Sequence, residues 1–262
     1  MSFIGSLLLV LTLFISGCSS YPWEQSSFNI GKSQQELSDI AHKYEIDQKQ
    51  RKNIPNNWQI SGILDVEHPT QARRNRVVIT ARKPDQLRLR IYGPFNQVAF
   101  DLLVDNDWLQ LIKPNKHQVL RVPASLEGMI YLTGIRIDPK SLGQFFKATA
   151  NPLSTQPRDA YSGIETTTTS GERLIIDPKT GFISLRKPGI SEKDRYSVKY
   201  FWPKESPQPP SSTLPNKLII SIPNEDMALT FILRKWKFSE SEPLNRLLTI
   251  PAGFSVVEPL KP

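Results

Sequence analysis

The sequence predicts a mainly β protein: one large antiparallel sheet of about twelve strands that curls on itself, with three helices against it. Three observations carry this. From Trp58 onward, apolar and polar residues alternate with a period of two for most of the chain. The links between these runs are short and rich in turn formers, as at Gly62, Asp105-Asn106-Asp107 and Pro114-Asn115-Lys116. The alternation breaks once, between Pro123 and Ala150, where apolar residues take helical spacing.

Taken in order, Phe3 to Ile15 is apolar and uncharged, and too short to span a bilayer core, which needs roughly 20 residues. It is followed by Ile15-Ser16-Gly17-Cys18, which resembles the lipobox of bacterial lipoproteins. Residues 1–17 are therefore expected to be a signal peptide and Cys18, the single cysteine of the chain, the acylated N-terminus. Ser19 in place of Asp at the next position resembles the sorting signal for the outer membrane. The expected location is the periplasmic face of that membrane, anchored through Cys18. Residues 18–32 are polar and read as a tether to one domain over 33–262.

Ser33-Gln34-Gln35-Glu36 has the spacing of a capping box. The helix that it opens sets Leu37, Ile40, Ala41 and Tyr44 on one stripe, leaves Lys43, Asp47 and Lys49 facing away, and stops at Asn53 to Pro55. Strands are expected over Trp58–Val66, Asn75–Arg82, Gln86–Tyr92, Gln97–Val104, Asp107–Lys113 and His117–Val122. In the third, Leu87, Leu89 and Ile91 form an apolar face and Arg88 and Arg90 a charged one. Gly93 and Pro94 then supply a turn with Phe95 at its tip. A ring in that position either folds back on the sheet or is held out to meet another apolar phase.

Leu126, Met129 and Ile130 sit helically before Thr133-Gly134, and Asp138-Pro139 opens a second short helix with Leu142, Phe145 and Phe146 on one side. These two helices either lie over an open sheet as a lid or simply complete its core. After a loop over Asn151–Asp159, strands resume at Tyr161–Thr167, Glu172–Ile176, Phe182–Lys187, Arg195–Phe201, Lys217–Ile222 and Met227–Trp236, with a proline-rich surface loop over Trp202–Pro215.

Catalytic and metal-binding patterns do not occur: there is no His-Glu-x-x-His, no Gly-x-Ser-x-Gly, no phosphate-binding glycine loop, and His42, His68 and His117 are dispersed. The reading is a binding protein, not an enzyme, with no cofactor and no metal. The net charge of +8 requires no nucleic acid, because basic runs such as Arg73-Arg74-Asn75-Arg76 and Arg51-Lys52 would be drawn to anionic head groups or an acidic partner. A solvated, solubilising surface accounts for them equally.

The order from Pro84 to Pro152, with strand, Gly-Pro-Phe turn, strand, Asp-Asn-Asp turn, Trp-Leu-Gln-Leu strand and paired helices, is similar to the LolB family of outer-membrane lipoprotein receptors. Trp58-Gln59-Ile60-Ser61-Gly62 resembles its opening strand, and Arg246 to Leu260 resembles the closing strand of the wider LolA/LolB-like group. The resemblance implies an incomplete, half-open barrel of about 11–12 strands with lid helices. It implies a monomer that takes lipoprotein acyl chains from a LolA-like periplasmic carrier and passes them to outer-membrane lipid. The acyl cavity would be lined by Leu87, Leu89 and Ile91 with Met129, Ile130, Leu142 and Phe145 above. Gly93, Pro94 and Phe95 would be the loop that enters the membrane, with Phe95 in the place of the family's leucine. The alternative is an envelope lipoprotein that docks a protein partner on the same sheet and carries no acyl cargo.

Overall fold

The computed structural model describes residues 31–83, 86–160, 162–189, 196–203, 214–238 and 249–258. The leader, Cys18, the tether as far as residue 30 and the centre of the proline-rich loop lie outside these. Helix α1 (Gln34–Lys52) begins where the capping box places it: the Ser33 hydroxyl accepts from the Glu36 N–H at 3.2 Å, and the Ser33 N–H donates to the Glu36 carboxylate at 2.8 Å. Its stripe of Leu37, Ile40 and Tyr44 is buried.

The strands are β1 (Trp58–His68), β2 (Gln71–Lys83), β3 (Gln86–Tyr92), β4 (Val98–Val104), β5 (Trp108–Lys113), β6 (Gln118–Pro123), β7 (Arg158–Ala160), β8 (Gly163–Thr167), β9 (Arg173–Ile176), β10 (Ile183–Lys187), β11 (Ser197–Phe201), β12 (Lys217–Ile222), β13 (Met227–Phe238) and β14 (Ser255–Val257). Helices α2 (Leu126–Thr133) and α3 (Leu142–Lys147) fall between β6 and β7. All the strands join one open sheet in the order β14-β6-β5-β4-β3-β2-β1-β13-β12-β11-β10-β9-β8-β7. Every pairing is antiparallel except that of β14 with β6. The fold is a half-open barrel, with 14 strands among the described residues. The excess over about twelve comes from β7, which lies in the stretch expected as a loop, and from β14, a short piece of the anticipated closing strand.

Gly62 is not a turn. It sits inside β1 at a bulge, where a Cβ would lie 2.2 Å from the Ile232 carbonyl oxygen of β13, so the position requires a residue with no side chain.

One face of the sheet and the three helices enclose the core. Phe146 of α3 stands edge-on to Trp58 of β1 and Phe231 of β13 at centroid distances of 6.3 and 5.2 Å, and Phe145 packs on Tyr196 at 5.5 Å. Helix α2 is capped by Ser125, whose hydroxyl accepts from Gly128 N–H at 3.1 Å, and ends at Gly134 in the left-handed conformation. Asp138 caps a 3-10 turn over Pro139–Ser141 that leads into α3. Rings and aliphatic chains of α2 and α3 therefore complete the core while lying across the sheet.

The outer face is not bare either. Arg88, Asp101, Leu103, Gln110, Ile112 and Val119 all point away from that core and are all buried. The described C-terminal segment crosses here: the Thr249 carbonyl accepts from Arg88 at 2.9 Å, Phe254 meets His117 at 5.3 Å, and β14 lies along β6.

Candidate functional site

Pairing of β3 with β4 extends to Tyr92–Val98, and the five residues between close a tight turn. Gly93 N–H donates to the Gln97 carbonyl at 2.8 Å and Asn96 N–H to the Gly93 carbonyl at 3.0 Å. Pro94 thus occupies the second turn position, which its fixed φ suits, Phe95 the third, and Asn96 takes a φ of 60° to re-enter the ladder. Two braces hold this loop. The Gln97 side chain accepts from Phe95 N–H at 2.9 Å, and Arg76 of β2 donates to the Asn96 side chain at 2.8 Å while its guanidinium lies 4.8 Å over Tyr92. The Phe95 ring touches none of this and is 91 % exposed. Of the two explanations for its position, folding back on the sheet is the one that this geometry removes.

The residues assigned to an acyl cavity come together on the inner face. Leu87, Met129, Leu142 and Phe145 belong to the central buried cluster, with Leu89 and Ile91 packed against it and Ile130 half-buried on the same helix as Met129. Phe145 is 0 % exposed, so in this conformation the protein's own side chains fill the space between α3 and β3. Open clefts flank α3 on either side. One, of about 290 Å³, is lined by Arg51, Lys52, Lys147 and Asn151, and the other, of about 370 Å³, by Asp138, Lys140, Glu172 and Tyr196. Gln144 lines both. Helix α3 is therefore a short plug with polar margins over an apolar floor.

Sequence reasoning missed what ties those margins down. Arg186 of β10 points inward and is 1 % exposed. It donates to the Glu172 carboxylate at 2.8 and 2.5 Å, to the Gln144 side-chain carbonyl at 2.9 Å and to the Thr149 carbonyl at 2.9 Å, and lies 4.9 Å over the Phe145 ring. The period of two hides it, because a bulge between Ile183 and Leu185 puts Ile183 and Arg186 on the same face.

The end of α1 makes a second tie and corrects two expectations: Asp47 does not face solvent, and Arg51 is not part of a surface run. Both are buried, with Arg51 donating to Asp47 at 2.6 Å and to the Lys147 carbonyl at 3.1 Å, and stacked 4.5 Å over Trp202. Gln48 bridges the Ala148 carbonyl and the Ala150 N–H. The reason is local: backbone groups at the end of α3 lack helical partners, and only polar side chains on α1 can satisfy them in a buried place. Burial pushes the Asp47 carboxyl above its ordinary value against the opposing pull of Arg51, and depresses the Lys147 ammonium. Tyr200, near Arg186, is pushed up to about 12 by burial.

Arg88 and Arg90 point outward, as alternation permits, so the inner face of β3 carries no charge, whereas that of β10 carries Arg186. Arg88 is nevertheless 2 % exposed, forked onto Asp101 at 2.7 and 2.6 Å beneath the C-terminal segment.

This architecture has solved counterparts. A LolA superfamily protein of Nitrosomonas europaea superposes with a TM-score of 0.54 at 10% identity, covering 79% of this chain and 97% of its own. A proposed outer membrane lipoprotein-sorting domain of Vibrio parahaemolyticus gives 0.54 at 9%, covering 81% and 98%. A DUF1329 family protein of Desulfovibrio piger gives 0.52 at 7%, covering 82% and 99%. No family model matches the sequence. No curated protein matches it. At such identities the likeness is one of fold: this chain folds as LolA superfamily proteins do.

Proposed function

We propose that the protein is an outer-membrane lipoprotein, anchored through acylated Cys18, that acts as a LolB-like receptor: it accepts lipoprotein acyl chains from a LolA-like periplasmic carrier and inserts them into the outer membrane. Its work is carrying, not catalysis. The observation that carries this reading is the pairing, on one hairpin, of an apolar inner face under α3 with a ring held in solvent at the tip. Lifting α3 would replace Phe145 and Phe146 on the floor with an acyl chain, which gains about 0.8 kcal/mol for each CH₂ buried. Phe95, entering the bilayer interface, would bring the loaded sheet to its target and contribute roughly 2 kcal/mol, little beside a multiply acylated anchor.

The test is transfer of a lipoprotein from a periplasmic carrier into liposomes bearing the full-length protein, run alongside uptake of a fluorescent fatty acid. Phe95→Glu should leave uptake intact and stop transfer, and Phe95→Leu should behave like the parent. Leu89→Asp should abolish uptake. No uptake by the folded parent would refute the acyl-carrier reading. The close fit of Phe145 and Phe146 against the sheet favours the second reading, a protein-docking envelope lipoprotein with no acyl cargo, and that result would leave it standing.

A further inference from the structure

Strand order decides what stands beside Phe95. The turns β1–β2, β3–β4, β5–β6 and β12–β13 all project from the same end of the sheet, because successive strands are antiparallel. The β1–β2 hairpin flanks the Phe95 turn on one side and the β5–β6 turn flanks it on the other, although they are far from it in sequence. The first brings Arg73, Arg74 and Arg76, and the second Lys113 and Lys116. Arg73, Arg76 and Lys116 are exposed. Arg76 is level with Tyr92 in the ladder, so Arg73 reaches about 10 Å further, as far out as the turn itself. On the other side, the Leu89–Leu102–Leu111 register sets Lys113 level with Phe100 and Ile91, and Lys116 beyond it.

The carboxylates at this end, Asp65, Glu67, Glu225 and Asp226, all lie on the far side of β2 from the Phe95 turn. Asp65 accepts both arms of Arg74 at 2.7 Å, and Glu225 lies 3.9 Å from Arg136 on the β12–β13 side. Glu67 is on β1, beyond β2. Between β2 and β6 the described tip residues carry Arg73, Arg76, Lys113 and Lys116 and no acidic side chain. Among the described residues, none of these four is in an ion pair closer than 4.0 Å.

We propose that this strip is a docking surface for anionic phospholipid head groups, holding the sheet tip-down on the bilayer so that Phe95 enters between flanking cations. It rests on the membrane-insertion reading of Phe95 and adds the lipid class. Charge and geometry favour a membrane over an acidic protein: the Phe95 ring is 91 % exposed on a projecting tip, and the flanking cations match a plane of phosphates. Each basic group near an anionic surface strengthens contact about fivefold, and salt weakens it.

The test uses the full-length lipidated protein reconstituted into vesicles. With Cys18 acylated, Phe95→Cys supplies a free thiol for an environment-sensitive dye. The inserted fraction, read from the blue shift of the dye, should be about tenfold higher in phosphatidylcholine–phosphatidylglycerol vesicles than in phosphatidylcholine alone. Adding Arg73→Gln and Lys116→Gln should erase that preference without moving the melting temperature, and high salt should do the same to the parent. Equal insertion in the two lipids, or a preference that survives the double substitution, overturns the proposal. A dye that stays wet in both lipids strikes instead at the insertion of Phe95, and the basic strip then loses its role with it.

Discussion

Two arginines, Arg186 and Arg88, are buried on opposite faces of the same sheet, and each does something different with its charge. Arg186 faces inward and spends its donors on Glu172 of the sheet and on Gln144 and Thr149 around α3. Arg88 faces outward, forks onto its cross-strand neighbour Asp101, and spends one N–H on the C-terminal Thr249 carbonyl, with Arg90 as a second cation 3.4 Å from Asp101. The inner pair is a charged attachment between the sheet and the segment around α3. The outer pair straps the C-terminal segment to the outer face. A buried ion pair is weak as a source of stability, yet costly to halve, so each position reports on the segment it holds.

Arg186→Ala should have the largest effect. It leaves Glu172 charged and partly buried, and unfolding in denaturant should show a loss of about 3 to 5 kcal/mol. Arg186→Met combined with Glu172→Leu should recover most of it, since the apolar pair leaves no orphaned charge. On the other face, Arg88→Ala should cost roughly 2 to 3 kcal/mol, because Arg90 remains to neutralise Asp101. Limited proteolysis should then cut within residues 249–258 well before the sheet melts.

The inner side has a further mark. The Tyr200 phenol is raised from 10.0 to about 12 by burial, and burial raises Tyr44 in the same direction. Between those values the unfolded chain has released the Tyr200 proton and the folded chain has kept it, so stability must fall as pH rises through this window, by about 3 kcal/mol for one group. Tyr200→Phe should flatten the slope of the midpoint against pH above 10, leaving the part due to Tyr44. Phe95→Ala should do least: a ring 91 % exposed has little folded contact to lose, and the melting curve should move by less than about 0.5 kcal/mol.

What the sequence made legible follows from local chemistry. The Ser33 capping box, the Gly93-Pro94 turn, the Gly134 stop and the face assignment of Leu87, Leu89 and Ile91 each depend on a few adjacent residues, and each is where the pattern puts it. What was hidden depends on distant segments. Arg88 reads as a solvated charge until Thr249 is known to pass over it. Asp47 and Arg51 read as the wet side of a helix until the end of α3 is set against them. At Gly62 and at Ile183–Leu185 one extra residue in the ladder breaks the period on which the reading rests, turning Arg186 inward. The residues expected to line an acyl cavity share one buried face, as the alternation of β3 and the spacing of the helices place them, but a lifting of α3 from them would be an equilibrium between two packings and leaves no trace in alternation.

An open sheet has two free margins, and rows of unpaired N–H and C=O groups there invite a second molecule to extend it. Among the described residues the margins are β7 and β14, each of three residues, and β14 pairs in parallel alongside the start of the much better formed β6. Val256 and Val257 are exposed on it. The strap that Arg88 holds therefore has a second consequence, which concerns neighbours and not the molecule itself. It withdraws β6 from intermolecular pairing, and its release would convert a blunt margin into a long adhesive one, so variants that free the C-terminus should associate through β6 at concentrations where the parent stays dispersed.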